Sequence, residues 1–321
     1  MERVACNQCG SNEHTPVYQR PDRQFFPDEY FTVVECHRCG LGFVNPRPTF
    51  VEMQKYYPRA YYRGEGTESF ERYLLRRFTA EARFLREIER CKRKKQLLDV
   101  GCWNGNFPRF MRARGWDVEG VEVSEVSQRI TDFPVYSQPF DQIPVDEPRY
   151  DAVTAWAVLE HVHDPMAYFR KAARVLKKGG LFVFLVTNFH SIASRYLFGE
   201  DVPRHLYFFT RETVAQYLEK TGFTLVTEDN GRSVYKMAPV NWLVFLWQTR
   251  LRGKPFTYSD VPLTSREFRR LHGLKKGIGE FVRYSAYSPA SVIERLLMPA
   301  VEAVQIMRKT YGVSTYVARK L

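Results

Sequence analysis

The sequence predicts an α/β protein built on a doubly wound parallel sheet, with a small cysteine-bearing module ahead of it. Three observations carry this. Short apolar runs alternate with amphipathic stretches over residues 96–231. One of those runs, "LLDVGCWNGN", leads into a glycine turn of the kind that follows a buried strand. Near the N-terminus two C-x-x-C-G units lie about 30 residues apart. The chain of 321 residues is 44% hydrophobic and 15% aromatic, which supports a packed core and excludes a disordered polypeptide.

The elements follow in chain order. Cys6-Asn-Gln-Cys9-Gly10 and Cys36-His-Arg-Cys39-Gly40 each bend two thiolates toward one point, and each following glycine tolerates a left-handed turn. Together they supply Cys6, Cys9, Cys36 and Cys39, the four-sulfur set of a closed structural zinc site. The apolar stretch between them predicts one or two strands, hence a zinc ribbon. Such a ribbon is expected to have a core separate from the sheet. Pro46 and Pro48 then read as a stiff linker. Tyr56, Tyr57, Tyr61 and Tyr62 are expected to pack against the next domain. From Thr67 to Cys91, apolar residues at Phe70, Leu74, Phe78, Ala82, Leu85 and Ile88 predict a helix.

Within the sheet, "QLLDV", "DVEGVEV", "YDAVTAWAVL" and "LFVFLVT" read as strands. Phe107, Phe110 and Met111 mark a helix that closes at Gly115. The stretch "PMAYFRKAARVLKKGG" reads as a helix stopped by its two glycines. "TGFTLVTEDN" and "YGVSTYVARKL" are the last two strands, with about 80 residues between them. In that interval Trp242–Trp247 is apolar all round, which predicts burial in a core or dimer contact.

The glycine turn identifies its ligand by what it lacks. A dinucleotide fingerprint fails at Trp103 and Asn106, and no Walker A sequence is present. What remains is Asp99 closing the first strand and Glu122 closing the second. A carboxylate at Asp99 suits a cationic ammonium group and repels phosphate. Glu122 can accept from both hydroxyls of a ribose. S-adenosylmethionine has both features and no phosphate.

"LLDVGCWNG", "VEGVEVSE", "YDAVTAWAVLEHVHDP" and "RVLKKGGLFVFLV", in that order, resemble the motifs of class I S-adenosylmethionine-dependent methyltransferases. The cysteine units with "VPRHLYFFT" resemble a bacterial subgroup that carries an N-terminal zinc ribbon and often works in polysaccharide or natural-product assembly. The resemblance implies a Rossmann-like methyltransferase sheet at residues 96–231 and 311–321. It implies a zinc ribbon at 1–48, a linker and helix at 49–95, and a helical insertion at 232–310. The cofactor site reads as Asp99, Gly101, Cys102, Trp103, Gly105, Glu122, Val123 and Trp156. Trp103 departs from the family's glycine and needs a backbone angle that a tryptophan tolerates.

A hydroxyl acceptor calls for a general base, and His161 and His205 are the candidates. Asp201 is expected to orient His205, and Arg204 to hold an anionic substrate group; His163 reads as a loop residue. Thr154-Ala155-Trp156-Ala157 stands where base-amine methyltransferases carry N-P-P-[YFW], which argues against that chemistry.

The expected acceptor is a small or carrier-linked hydroxylated molecule such as a sugar. An RNA methyltransferase and a non-catalytic scaffold are the alternatives. With 48 Lys+Arg against 36 Asp+Glu, net charge is +12, which favours anionic partners. Residues 251–321 hold 13 basic and 5 acidic residues, so this tail supplies much of the excess. Peripheral membrane contact through residues 241–254 and a homodimer are the remaining partner expectations. No apolar run approaches the roughly 18 residues of a membrane span, and the N-terminus lacks a signal-peptide pattern, so a cytoplasmic protein is expected.

Overall fold

The computed structural model describes residues 1–22, 24–58, 61, 68–90, 94–231, 234–257 and 289–321. Eleven strands and nine α-helices among these residues position the sites. The N-terminal strands are β1 (His14–Pro21), β2 (Tyr30–Cys36) and β3 (Gly42–Val44). Helices α1 (Phe50–Met53), α2 (Glu68–Ala82) and α3 (Arg86–Glu89) follow. Next come β4 (Lys95–Val100), α4 (Asn106–Arg112), β5 (Trp116–Val121), β6 (Val135–Tyr136) and β7 (Tyr150–Trp156). Then follow α5 (Pro165–Val175), β8 (Leu176–Thr187), α6 (Ile192–Arg195) and β9 (Tyr207–Phe208). The chain ends through α7 (Arg211–Lys220), β10 (Phe223–Asn230), α8 (Trp242–Leu246), α9 (Pro289–Met307) and β11 (Val313–Lys320).

Seven strands form one sheet in the order β10-β11-β8-β7-β4-β5-β6. Its inner strands are apolar on both faces, and all seven residues of β7 are buried. The β4, β5, β6, β7 and β8 pairings are parallel, as the alternating pattern predicts. The sheet is nevertheless mixed. β11 enters antiparallel between β8 and β10, because it carries the chain back from the inserted segment.

Local signals misplaced one helix end, ran across a break in another helix and missed a short strand. Helix α5 ends at Val175 rather than at the glycines, since Leu176 already pairs with Tyr150. The register then shifts before Ala152 pairs with Leu181, and Lys177–Gly180 are absorbed there with Gly179 at φ 77°. The predicted 67–91 helix is interrupted by a 3₁₀ turn at Arg83–Leu85; its expected end at Cys91 and the packing expected of Tyr62 lie outside the described residues. The two-residue β6 has too little pattern to be seen in sequence.

The ribbon does not have a separate core. Its sheet runs β1-β2-β3-β9, so a strand from after β8 completes it. The prolines expected to form a linker flank buried residues: Asn45 bonds Val4, and Arg47 donates to the Tyr207 hydroxyl and the His163 carbonyl. By contact density, residues 1–188, 201–236 and 313–321 form one compact unit. Residues 189–200 and 237–312 form a second.

In the second unit the segment expected to be buried in a core or dimer contact is not buried within the chain. No residue of α8 is buried, and Leu246 and Trp247 are exposed. Residues 258–288 of the insertion lie outside the described residues.

Candidate active site and cysteine cluster

The strands β4, β5, β7 and β8 run parallel, so the loops leaving their carboxyl ends gather along one edge, where open α/β sheets place their ligands. The turn after β4 is held by backbone bonds from the Gly101 and Cys102 N–H groups to the Val121 carbonyl, 2.8 and 3.0 Å. Gly101, Trp103 and Gly105 all have left-handed φ values, 71°, 49° and 78°. A side chain at Gly101 would come within 2.6 Å of Val158, and one at Gly105 within 2.8 Å of Phe133. Trp103 thus keeps the backbone shape that glycine would adopt without strain, at a cost of about 1–2 kcal/mol for an L-residue. The Cys102 side chain is buried against the backbone of Gly120.

Glu122 ties the two strand ends together. Its Oε2 accepts from the Trp103 N–H at 2.9 Å and its Oε1 from the Ser124 N–H at 2.8 Å. A carboxylate has about four acceptor sites, so these two bonds leave capacity on both oxygens. Val123 beside it is exposed.

Asp99 is buried, and its Oδ1 accepts from the Thr154 hydroxyl at 2.6 Å. Burial pushes its carboxyl up to about 8; Thr154 opposes the rise, while Glu81 and Glu122 add to it. Glu81 is itself buried on α2, bonded by Arg77 Nε at 2.7 Å, and pushed up to about 7 by burial against the pull of Arg77. Sequence reading missed this pair, although Glu81 follows Phe78 by three residues and so falls on the apolar face of α2. Trp156, at the end of β7, packs edge-on to Phe107 at 5.6 Å. Its indole Nε1 is buried without a hydrogen-bond partner among the described residues.

His161 and His205, 44 residues apart, meet edge-to-face with ring centroids 4.6 Å apart. The Tyr57 hydroxyl lies 3.0 Å from His161 Nδ1, a contact that sequence spacing could not reveal. Burial, with His205 adding to it, pulls His161 down to about 3, so this imidazole is neutral across the physiological range. Glu160 adds a buried carboxylate, and its oxygen and one nitrogen of each ring lie within 4.8 Å of one another. His163 sits in a loop with Nε2 3.1 Å from the Pro48 carbonyl.

Arg204 does not face a substrate. It is fully buried, and it donates to both oxygens of Asp22, both oxygens of Asp201 and the Tyr56 carbonyl. All five of its N–H donors are spent inside the protein. Both Asp201 oxygens are occupied by Arg204, whose hydrogen bonds hold the carboxyl below its ordinary range against the effect of burial. This cluster fastens the end of β1 to the segment carrying His205.

The four ribbon cysteines converge. Cys6 and Cys39 sulfurs are 3.4 Å apart, Cys9 and Cys36 are 3.5 Å apart, and all four lie within 4.8 Å of one another. These distances exclude disulfides. Tetrahedral coordination at Zn–S bonds of about 2.3 Å sets sulfurs about 3.8 Å apart, so the cluster fits that ion. Gly10 and Gly40 close the two knuckles at φ 72° and 75°, each donating to the carbonyl of the first cysteine of its knuckle.

Residues 68–228 match a family model described as a methyltransferase domain. A ubiquinone biosynthesis O-methyltransferase of Alkalilimnicola ehrlichii is 35% identical over 104 residues, 29% of this chain and 42% of that protein. One from Nitrosomonas europaea is 30% identical over 105 residues, 30% of this chain and 45% of that protein. The chain thus spans less than half the length of these relatives. Among solved structures, a SAM-dependent methyltransferase from Archaeoglobus fulgidus is similar at 17% identity and TM-score 0.45, covering 76% of this chain and 94% of that one. One from Mesorhizobium loti is similar at 15% identity and TM-score 0.44, covering 75% and 98%.

Proposed function

We propose, for a chain that belongs to the methyltransferase domain family, that it transfers a methyl group from S-adenosylmethionine to a hydroxyl of a small or carrier-linked acceptor. The observation that carries this reading is Glu122. Two backbone N–H groups aim its carboxylate, and the acceptor capacity left on both oxygens suits the adjacent hydroxyls of a ribose. Asp99 and Glu81 support it: two buried carboxyls share one arginine, and a cationic ligand would complete that balance. The unpartnered Trp156 N–H adds a donor at the end of β7. When bound, the cofactor supplies an electrophilic methyl group; the chain supplies position and a proton acceptor.

In this reading Asp99 faces the ammonium group and Glu122 the ribose. Gly101, Cys102, Trp103 and Gly105 form the backbone cradle, with Val123 and Trp156 flanking it. His205 takes the acceptor proton. His161, neutral down to about pH 3, is too weakly basic for that task and serves to position its neighbour, with Tyr57 steadying it. The relatives named O-methyltransferases support oxygen as the acceptor atom. A sugar hydroxyl is one acceptor to test. Zinc at the four cysteines is structural, since a closed four-sulfur set leaves no coordination position for chemistry.

The test is methyl transfer from labelled cofactor into fractionated small molecules, carrier-linked species and RNA. Label in a hydroxylated small molecule or its carrier-linked form, lost in His205→Ala, is the expected result. Label confined to RNA, or cofactor binding without any transfer, would refute it.

A further inference from the structure

Helix α9 is inside out. Over its described side chains the buried positions are polar: Glu294, Glu302 and Gln305. The exposed positions include Ile293, Leu296, Leu297, Val304 and Met307, spaced as one helical stripe. Leu296 is 76% and Met307 75% exposed, values that a helix serving only the fold would reverse. The buried polar groups have partners. Glu294 accepts from the backbone N–H of Asn241, which caps α8; Glu302 meets the Tyr311 hydroxyl; Gln305 donates to the Thr310 carbonyl. The inverted face is therefore anchored by specific bonds. Helix α8 and the π-turn after it add Leu246, Trp247 and Leu251, the last 79% exposed.

Charge narrows the choice of partner. Among the described residues of this second unit, every acidic side chain is buried: Glu200, Glu294 and Glu302. Arg250, Arg252, Lys254, Arg295, Arg308 and Lys309 are all exposed. Arg252 lies over the Trp247 ring at 3.9 Å, a pairing of cation and interfacial aromatic. Among the described residues of this unit the exposed charges are thus all cationic, and an apolar stripe in that company matches an anionic lipid surface, where the side chains enter the acyl boundary and the cations meet phosphates. A second copy would bring six cations against six. A nucleic acid would leave the stripe unused. No helix among the described residues is long and apolar enough to cross a bilayer, so the contact is interfacial.

We propose that the second unit docks the protein on anionic membrane surfaces through the exposed apolar stripe of α9 and the α8 segment. The test is co-sedimentation of the full chain with vesicles of phosphatidylcholine containing about 30% phosphatidylglycerol, against phosphatidylcholine alone. Binding should be at least about tenfold stronger with the anionic lipid and should weaken as salt is raised. Leu296→Asp and Leu251→Asp should each reduce it by about 10-fold or more. Both positions face solvent, so folding should be unaffected, and circular dichroism checks this. Arg252→Gln with Lys254→Gln provides a second variant that removes charge and leaves the stripe intact; it should shift binding to lower salt. Three results overturn the proposal: no partition onto anionic vesicles at low salt, Leu296→Asp binding like the parent, or a parent dimer that Leu296→Asp dissolves.

Discussion

Asp99→Asn should flatten the pH dependence of cofactor binding. In the ligand-free protein the Asp99 carboxyl is held up to about 8, chiefly by burial, with Glu81 and Glu122 adding to the rise. It is therefore protonated at neutral pH. A cationic ligand beside it favours the ionised form, so binding expels the proton, and affinity rises with pH until the free carboxyl is itself ionised. The ionised fraction of a group titrating at 8 grows about 24-fold between about pH 6.0 and 7.5, equivalent to about 1.9 kcal/mol of apparent binding energy. The upper end of this window meets the start of the ligand's own α-amino titration, about 7.7–8.0, which trims the rise slightly near pH 7.5. Calorimetry of S-adenosylmethionine binding across it should show that rise in the parent. Glu81, raised to about 7, contributes in the same direction, so the Asp99→Asn profile should be shallower and that of Asp99→Asn with Glu81→Gln flat. The folding sign follows too. A carboxyl whose folded value is raised contributes stability below its unfolded value, lost as pH climbs from about 4 to about 8. The ligand-free parent should thus melt lower across that window, and Asp99→Asn less so. A parent affinity that does not change with pH, or an equal slope in both proteins, would refute the placement of Asp99 against a cation.

Four further outcomes are expected. Purified protein should hold one zinc per chain; because β9 completes the ribbon sheet, Cys36→Ser should lower the melting temperature of the whole first unit, measured by calorimetry. Trp103→Gly relieves a left-handed tryptophan and should bind cofactor at least as tightly as the parent, read by the same titration; a variant that binds when the parent does not would mean that the indole closes the site. His205→Ala should lower turnover by about 100- to 10,000-fold with cofactor affinity unchanged, and high pH should partly restore it, whereas His161→Ala should cost less. Arg204→Met strands Asp22 and Asp201 and should destabilise by about 3–5 kcal/mol in denaturant unfolding, whereas a substrate-binding arginine would change KM and leave stability alone.

Short spacings in the sequence carried much of this protein. The doubled C-x-x-C-G units announced a four-sulfur cluster because each knuckle is a local turn. The strands and the turn from Gly101 to Gly105 were legible because burial on both faces leaves a continuous apolar run. Asp99 and Glu122 could be picked out by their place at strand ends. Tertiary structure decided matters that join distant residues. Arg204 read as a ligand for substrate because a lone arginine in a loop shows no partner; Asp22, 182 positions away, consumes it. The pairing of His161 with His205, the Tyr57 contact, and the approach of the local Arg77–Glu81 pair to Asp99 depend on chain crossings that periodicity does not encode. Helix α9 shows the limit most directly. Its apolar stripe fixes which residues share a face, but which face meets the protein is set by Asn241, Tyr311 and Thr310, whose hydrogen-bonding groups draw the polar side chains inward.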